Sequence, residues 1–154
     1  MIQDKAKVSN QDMLAHCGSI IPASVSILVV EQVASYGMAV GKDVFETVFW
    51  SGRFCQAWPG EWHRMPRKDV KMHLCGNNAA KDSNIACALI DRFDPMRTYG
   101  KMGKGWKSNP GPLYGVSKDI WAALALAITF WDTYIGKCHA QQSKGKAERR
   151  RHGA

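Results

Sequence analysis

Two carboxylates stand at the ends of apolar segments, where they could bind a divalent metal ion. Glu31 follows the apolar run at 27–30, which is typical of a buried strand. Asp119 opens a second apolar segment that extends to Ile128. Because a lone buried carboxylate is unfavourable unless it is paired or binds a metal ion, two such acids are consistent with a shared metal site. Ordinary charges at the end of a strand and in the first turn of a helix would leave the same pattern.

The elements that must position these acids are predicted from the spacing of apolar residues and from helix-breaking residues. Five helices are predicted, at 9–17, 42–57, 66–75, 80–93 and 118–136. An apolar run predicts a strand at 25–31, and a short second strand could span 61–65. The residues at 94–116, rich in Gly, Pro and Lys, are predicted to form a loop. Glu31 therefore ends the first strand, and Asp119 begins the last helix.

Length, charge and cysteine content restrict the class of protein. A chain of 154 residues suits one domain, which we place at 1–136. The formal net charge of +8 points to an anionic partner, although the basic tail at 137–154, which we expect to be disordered, supplies +5 of it. Five cysteines without a Cys-x-x-Cys pair favour a reduced, cytoplasmic setting. No apolar stretch reaches the roughly 20 residues that a bilayer requires, so we expect no membrane partner.

A basic segment at 97–107 is a candidate for contact with an anionic partner. Its four cations, with no acid among them, are Arg97, Lys101, Lys104 and Lys107. Tyr99 and Trp106 are interleaved with these charges, which suits a flexible arm laid on phosphates with aromatic stacking. A mobile surface loop would have the same composition, so both interpretations stay open.

Six sequence blocks together resemble the RuvC-type Holliday-junction resolvases, particularly the phage-encoded branch. The blocks are VEQV at 30–33, GMAVGKDVFET at 37–47, VKMHLCG at 70–76, AKDSNI at 80–85, PGPLYGV at 110–116 and DIWAALALA at 119–127. They follow one another at compatible spacing over residues 9–135. The resemblance implies an α/β, RNase H-like fold, here with a reduced sheet and about five helices, and incomplete at the N-terminus.

The resemblance also implies a function and the residues that perform it. It implies a homodimer that cleaves branched DNA, such as four-way junctions, inside a bacterium or a phage-infected cell. Glu31 and Asp119 would bind Mg²⁺ or Mn²⁺, which activates water and stabilises the departing oxygen in such sites. Lys71 and Lys81 match positions that contact the DNA backbone in the family, although ordinary surface lysines would look the same. With the four cations of the 97–107 segment, they complete the predicted DNA-binding set.

The chain departs from the family pattern in two places. Family members often carry a second acid three residues after the one matched by Asp119, where this chain has Ala122. Asp132 cannot simply replace it, because it lies about 220° further round the helix. The family's first strand, which carries a metal-binding aspartate, has no counterpart before the helix at 9–17. We therefore expect the 25–31 strand to have an open edge, and a truncated or degenerate relative is an alternative to a compact natural design.

The helix at 42–57 could cover part of this gap in a dimer. Its aromatic residues Phe45, Phe49 and Trp50 suit a surface that a second copy buries. They suit the core of a single chain equally well.

Two functions remain after these departures. The first is a metal-dependent endonuclease selective for branched DNA. The second is a catalytically defective relative or fragment that binds such DNA without cleaving it. Metal-dependent cleavage separates the two, and salt-dependent affinity for branched DNA separates both from an unrelated binding module.

Overall fold

Five α-helices and four short strands make up the part of the chain that the computed structural model describes, residues 4–19, 26–34, 37 and 39–136. The helices are α1 Asn10–Ser19, α2 Lys42–Ala57, α3 Arg67–Cys75, α4 Asp82–Phe93 and α5 Asp119–Phe130, and a π-helical turn, Trp131–Ile135, follows α5. The strands are β1 Leu28–Gln32, β2 Trp62–Pro66, β3 Gly105–Trp106 and β4 Asn109–Pro110. The predicted mixed α/β class, with five helices and a small sheet, is confirmed. The tail at 137–154 and the predicted strand residue Val25 lie outside the described residues.

β1 and β2 form a parallel pair, with Leu28 opposite Trp62 and Glu31 opposite Met65. Parallel strands need a long crossover connection, which α2 supplies here. Because the two strands run in the same direction, Glu31 and the start of α3 both lie at the carboxyl end of the sheet. In the described residues β1 pairs with β2 alone, so its other edge is open, as the sequence predicts.

The main core lies between this sheet and the last helix. α5 packs against β1, α3 and α4. The buried residues of this cluster are Met65, Val70, Ile85, Leu89, Ala125, Leu126 and Phe130. Side chains alternate along β2, so His63 faces α5, with its ring centroid 4.8 Å from that of Phe130, while Trp62 and Arg64 face the side of α2.

Local signals set the ends of the helices that follow β2. Gly76 adopts a left-handed conformation (φ 66°), and its N–H donates to the Met72 carbonyl oxygen at 2.9 Å, which ends α3. The Asn84 side chain accepts the Lys81 N–H at 2.9 Å at the start of α4. None of the helices in the described part of the chain is long and apolar enough to cross a membrane.

Candidate functional site

Glu31 lies at the carboxyl end of β1, where an arginine joins it to a second acid. The guanidinium of Arg67 lies 3.7 Å from the Glu31 carboxylate and donates a 2.6 Å hydrogen bond to Asp82. Glu31 keeps 43% of its side chain exposed. The sequence predicts Glu31 as a site residue, but the contributions of Arg67 and Asp82 depend on the packing of α3 against α4. No local pattern indicates them.

Asp119 lies at the first turn of α5, where the helix dipole favours a negative charge. Its carboxylate accepts a 2.5 Å hydrogen bond from the Lys7 ammonium. This bond, and the charge of Lys7, lower the pKa of Asp119 from its ordinary value. The segment before α1 therefore lies over the start of α5, an arrangement that the sequence did not predict.

The two predicted metal ligands are thus each paired with a cation. The described part of the chain contains no group of three or more His, Cys, Asp or Glu side chains that could hold a metal ion. Carboxylates are suitable donors for Mg²⁺, but Glu31 and Asp119 alone are too few for a complete site. The metal site shared by Glu31 and Asp119 stays a prediction.

A cavity of about 530 Å³ opens beside Glu31, between α2 and the sheet. Its walls include Glu31 and Gln32 from the end of β1, Ser51 and Cys55 from α2, and Trp62 and Arg64 from β2. Burial raises the pKa of the Cys55 thiol, so this group is held in its neutral form. The cavity has the volume of a small-ligand site, and it leaves Glu31 accessible on the side away from the core.

The predicted DNA-binding lysines Lys71 and Lys81 lie on neighbouring elements. Lys71 is half-buried on α3, whereas Lys81 is exposed immediately before α4. Within the described residues neither lysine forms an ion pair, so both charges are available to an anion. Lys81 also directly precedes Asp82, the acid that pairs with Arg67 as Glu31 does. This cation therefore lies next to the acidic edge, by which we mean Glu31 and Asp82 at the carboxyl end of the sheet.

The cations of the 97–107 segment divide into two kinds. Arg97 forms an ion pair with Asp91, which offsets its charge. The three lysines, Lys101, Lys104 and Lys107, have no acidic partner among the described residues. Lys104 lies 6.0 Å from the centre of the Trp121 ring, so its ammonium interacts with an aromatic face. Three of the four predicted cations are therefore unpaired here.

Asp132, whose position round the last helix argues against it as a replacement metal ligand, contacts two other helices instead. Arg92 donates two hydrogen bonds to it, at 2.5 and 2.8 Å, and His73 lies 2.9 Å from the same carboxylate. The hydrogen bond from Arg92 is the main cause that lowers the pKa of Asp132 to about 2. These contacts tie the π-helical turn to α3 and α4, so Asp132 is engaged in holding helices together.

The aromatic residues of α2 lie mainly on the surface. Phe45 is 64% exposed and Phe49 58% exposed, so the core interpretation is wrong for both. Trp50 is half-buried, and its indole donates to Glu46 at 2.7 Å. The guanidinium of Arg53 lies 4.5 Å from the centre of the Trp50 ring. With Val48, which is 50% exposed, Phe45 and Phe49 leave an apolar face of α2 open to solvent.

In comparisons with known proteins, no family model, curated protein or solved structure matches the chain.

Proposed function

We propose that this chain is a RuvC-type endonuclease that cleaves branched DNA and depends on Mg²⁺ or Mn²⁺. One observation carries the proposal: five of the six resemblance blocks fall wholly or partly on β1, α2, α3, α4 and α5, in chain order, and the sixth, at 110–116, lies mainly in the turns before α5. Glu31 stands at the carboxyl end of a parallel pair, and the helix that begins with Asp119 packs on the same strand. Parallel sheets commonly place their sites at this edge.

The described residues supply part of such a site. When bound, a divalent metal ion would activate water and stabilise the departing oxygen of the scissile phosphate. Glu31 and Asp119 are hard oxygen donors of the kind that this ion prefers, but further ligands are needed beyond these two. Arg67 offsets the charge of Glu31 and Asp82, which reduces the repulsion between this edge and a DNA phosphate.

The unpaired lysines support DNA as the substrate. Lys71 lies on α3 and Lys81 immediately before α4, next to Asp82. Lysines without acidic partners bind phosphates by releasing condensed counterions, which makes affinity fall with salt concentration. We expect these two residues to position the DNA backbone near Glu31.

We also propose that α2 forms the contact between two copies of the chain. Phe45, Val48 and Phe49 are all at least half exposed along this helix. A second copy that packs its own α2 against this face would remove three large apolar side chains from water. Two sites in a dimer would suit a four-way junction, in which two strands must be cut.

A branched-DNA-binding protein without cleavage is the second candidate. It is favoured by the ion pairs that occupy the predicted ligands, Lys7 with Asp119 and Arg67 with Glu31. It is also favoured by the lack of a three-ligand group in the described part of the chain. Both candidates share the lysines, so DNA affinity alone does not separate them.

The test of the proposed site is Glu31→Gln, which keeps the size of the side chain but removes its charge. We expect the variant to lose metal-dependent nicking of a labelled four-way junction while it binds the junction at least as tightly as the wild type. Glu61→Gln is the matched control, because Glu61 is exposed and precedes β2 at the opposite end of the sheet. Full nicking by Glu31→Gln would refute the site assignment, and no nicking by either the wild type or the control would favour the second candidate.

A further inference from the structure

A two-stranded hairpin projects from the loop between α4 and α5 and carries an exposed tryptophan. β3 and β4 pair antiparallel, with Trp106 opposite Asn109 and Gly105 opposite Pro110. Only Lys107 and Ser108 therefore make the turn. A Cβ at Gly105 would lie 2.3 Å from the Asn109 carbonyl oxygen, and Gly105 has φ 66°, so only glycine fits this closely paired position.

Backbone hydrogen bonds join the base of the hairpin to the loop residues that precede it. Gly105 donates to the Tyr99 carbonyl at 2.9 Å, and Gly111 donates to the Lys104 carbonyl at 2.8 Å. Before the hairpin, the buried Asp94 at the end of α4 accepts the backbone N–H groups of Thr98 and Tyr99, at 2.8 and 2.9 Å. After the hairpin, Leu113 is fully buried in a cluster with Ile90 of α4.

This bonded hairpin differs from the flexible arm that the sequence suggests. The glycines that made the segment look mobile have positive φ angles and permit tight turns instead, as at Gly100 (φ 80°) and Gly103 (φ 62°). The backbone of Trp106 therefore has a defined position relative to α4, rather than belonging to a mobile chain.

Trp106 is nonetheless left in water. It is 61% exposed, and among the described residues no aromatic ring stacks on it. Trp106 does not belong to either hydrophobic core cluster of the described residues. An exposed indole on a hydrogen-bonded backbone suits stacking against a flat ligand, because less backbone entropy is lost when the ligand binds.

The charge around the hairpin indicates what that ligand is. From Pro95 to Lys118 the chain contains no acid and five cations. Lys107 follows the tryptophan directly and Lys104 lies two residues before it, and neither has an acidic partner in the described part of the chain. The Lys104 ammonium lies over the Trp121 ring, so Lys107 is the cation that stands free beside Trp106. Aromatic rings between lysines bind exposed nucleobases, with the ring on the base and the ammonium groups on the phosphates.

We propose that Trp106 stacks on an unstacked base at the branch point of a DNA junction and so contributes to selectivity for branched over linear DNA. The inference rests on the proposed function, since it needs branched DNA as the ligand. In a linear duplex every base is already stacked on its neighbours, so the indole has no free base face to contact. At a branch point the stack is interrupted, and a base can turn towards the hairpin at lower cost.

The test compares Trp106→Ala, Trp106→Phe and Trp131→Ala in the full chain. Trp131 is a matched control, because it is 55% exposed but lies in the π-helical turn after α5. The probes are a four-way junction with 2-aminopurine at the branch point and a linear duplex of the same sequence, both with chelator to prevent cleavage. Affinity and 2-aminopurine fluorescence are measured for each variant.

We expect Trp106→Ala to bind the junction about 10-fold more weakly, from the usual contribution of one stacked base, and the duplex within about 2-fold of the wild type. The fluorescence change on binding should be lost in Trp106→Ala and retained in Trp106→Phe and Trp131→Ala. Retention of the signal by Phe would also show that the Ala variant fails for lack of a ring and not through misfolding.

Two results would overturn the inference. If Trp106→Ala matches Trp131→Ala in junction affinity and fluorescence while Lys81→Ala still weakens binding, the stacking role is wrong and the proposed function stands. If the wild type itself shows no preference for the junction over the duplex, the inference fails together with the proposed substrate.

Discussion

Replacement of Asp132 by asparagine tests how the last helix is held against the fold. Asp132 accepts two hydrogen bonds from Arg92 and contacts His73, and its side chain is only 22% exposed. Arg92 holds the pKa of Asp132 at about 2, below the usual 3.8. A depression of this size corresponds to roughly 2 kcal/mol of stability at neutral pH. For a chain of this length the loss would lower Tm by about 4–8 °C.

The same contact makes the stability of the fold depend on pH, and the lowered pKa of Asp132 sets the sign of that dependence. The carboxylate binds its proton less readily in the folded chain than in the unfolded chain, so its contribution is complete above the usual pKa of 3.8. It is lost as the pH falls towards the folded value of about 2. The difference in stability between the wild type and Asp132→Asn should therefore be constant near neutral pH and shrink between these two values.

Urea unfolding followed by circular dichroism, at several pH values, measures this difference. Asp91→Asn is the control, because Asp91 also pairs with an arginine but is 64% exposed, and we expect it to change stability by no more than about 0.5 kcal/mol. The reasoning would be refuted if Asp132→Asn were no less stable than Asp91→Asn at neutral pH. A difference that persisted unchanged to pH 2 would refute the electrostatic part.

Three further predictions follow from the surface of the molecule. Lys71→Ala and Lys81→Ala should each lower junction affinity and reduce its salt slope by about one, measured by titration from low to high salt, whereas an unchanged slope would exclude a phosphate contact. Phe45→Ser combined with Phe49→Ser should shift the chain towards the monomer in analytical ultracentrifugation with little loss of stability, and a dimer that persists would place the contact elsewhere. Gly105→Ala should distort the β3–β4 hairpin and so remove the 2-aminopurine fluorescence change assigned to Trp106, while the far-ultraviolet circular dichroism stays unchanged. A retained fluorescence change would mean that stacking by Trp106 does not depend on the tight pairing at Gly105.

The sequence predicts the elements of this fold well where a local signal marks them. The helix predicted at 42–57 is confirmed as Lys42–Ala57. Its bounds could be predicted because a glycine precedes it and a Pro-Gly pair follows it. The strands predicted at 25–31 and 61–65 correspond to Leu28–Gln32 and Trp62–Pro66. The last helix is predicted as continuous to 136, but it changes to a π-helical turn after Phe130, where Asp132 is bound from two other helices.

The environment of the candidate site could not be predicted in the same way. The sequence singles out Glu31 and Asp119 by their position at the ends of apolar segments. It does not show that Arg67 reaches Glu31 or that Lys7, more than a hundred residues earlier, reaches Asp119. Such ion pairs join surface residues that are distant in the sequence and have no periodic pattern. The exposure of Phe45 and Phe49 was undetermined for a related reason, since helical spacing identifies an apolar face but not what covers it.

The central claim, cleavage of branched DNA, is tested most directly by one assay with the wild-type chain. A labelled four-way junction and a linear duplex of the same sequence are incubated with Mg²⁺, with Mn²⁺ and with chelator, and the products are resolved on a denaturing gel. We expect nicks near the branch point that require the metal ion and are absent from the duplex. Binding of the junction without nicking under any metal condition would contradict the endonuclease and leave a protein that only binds branched DNA.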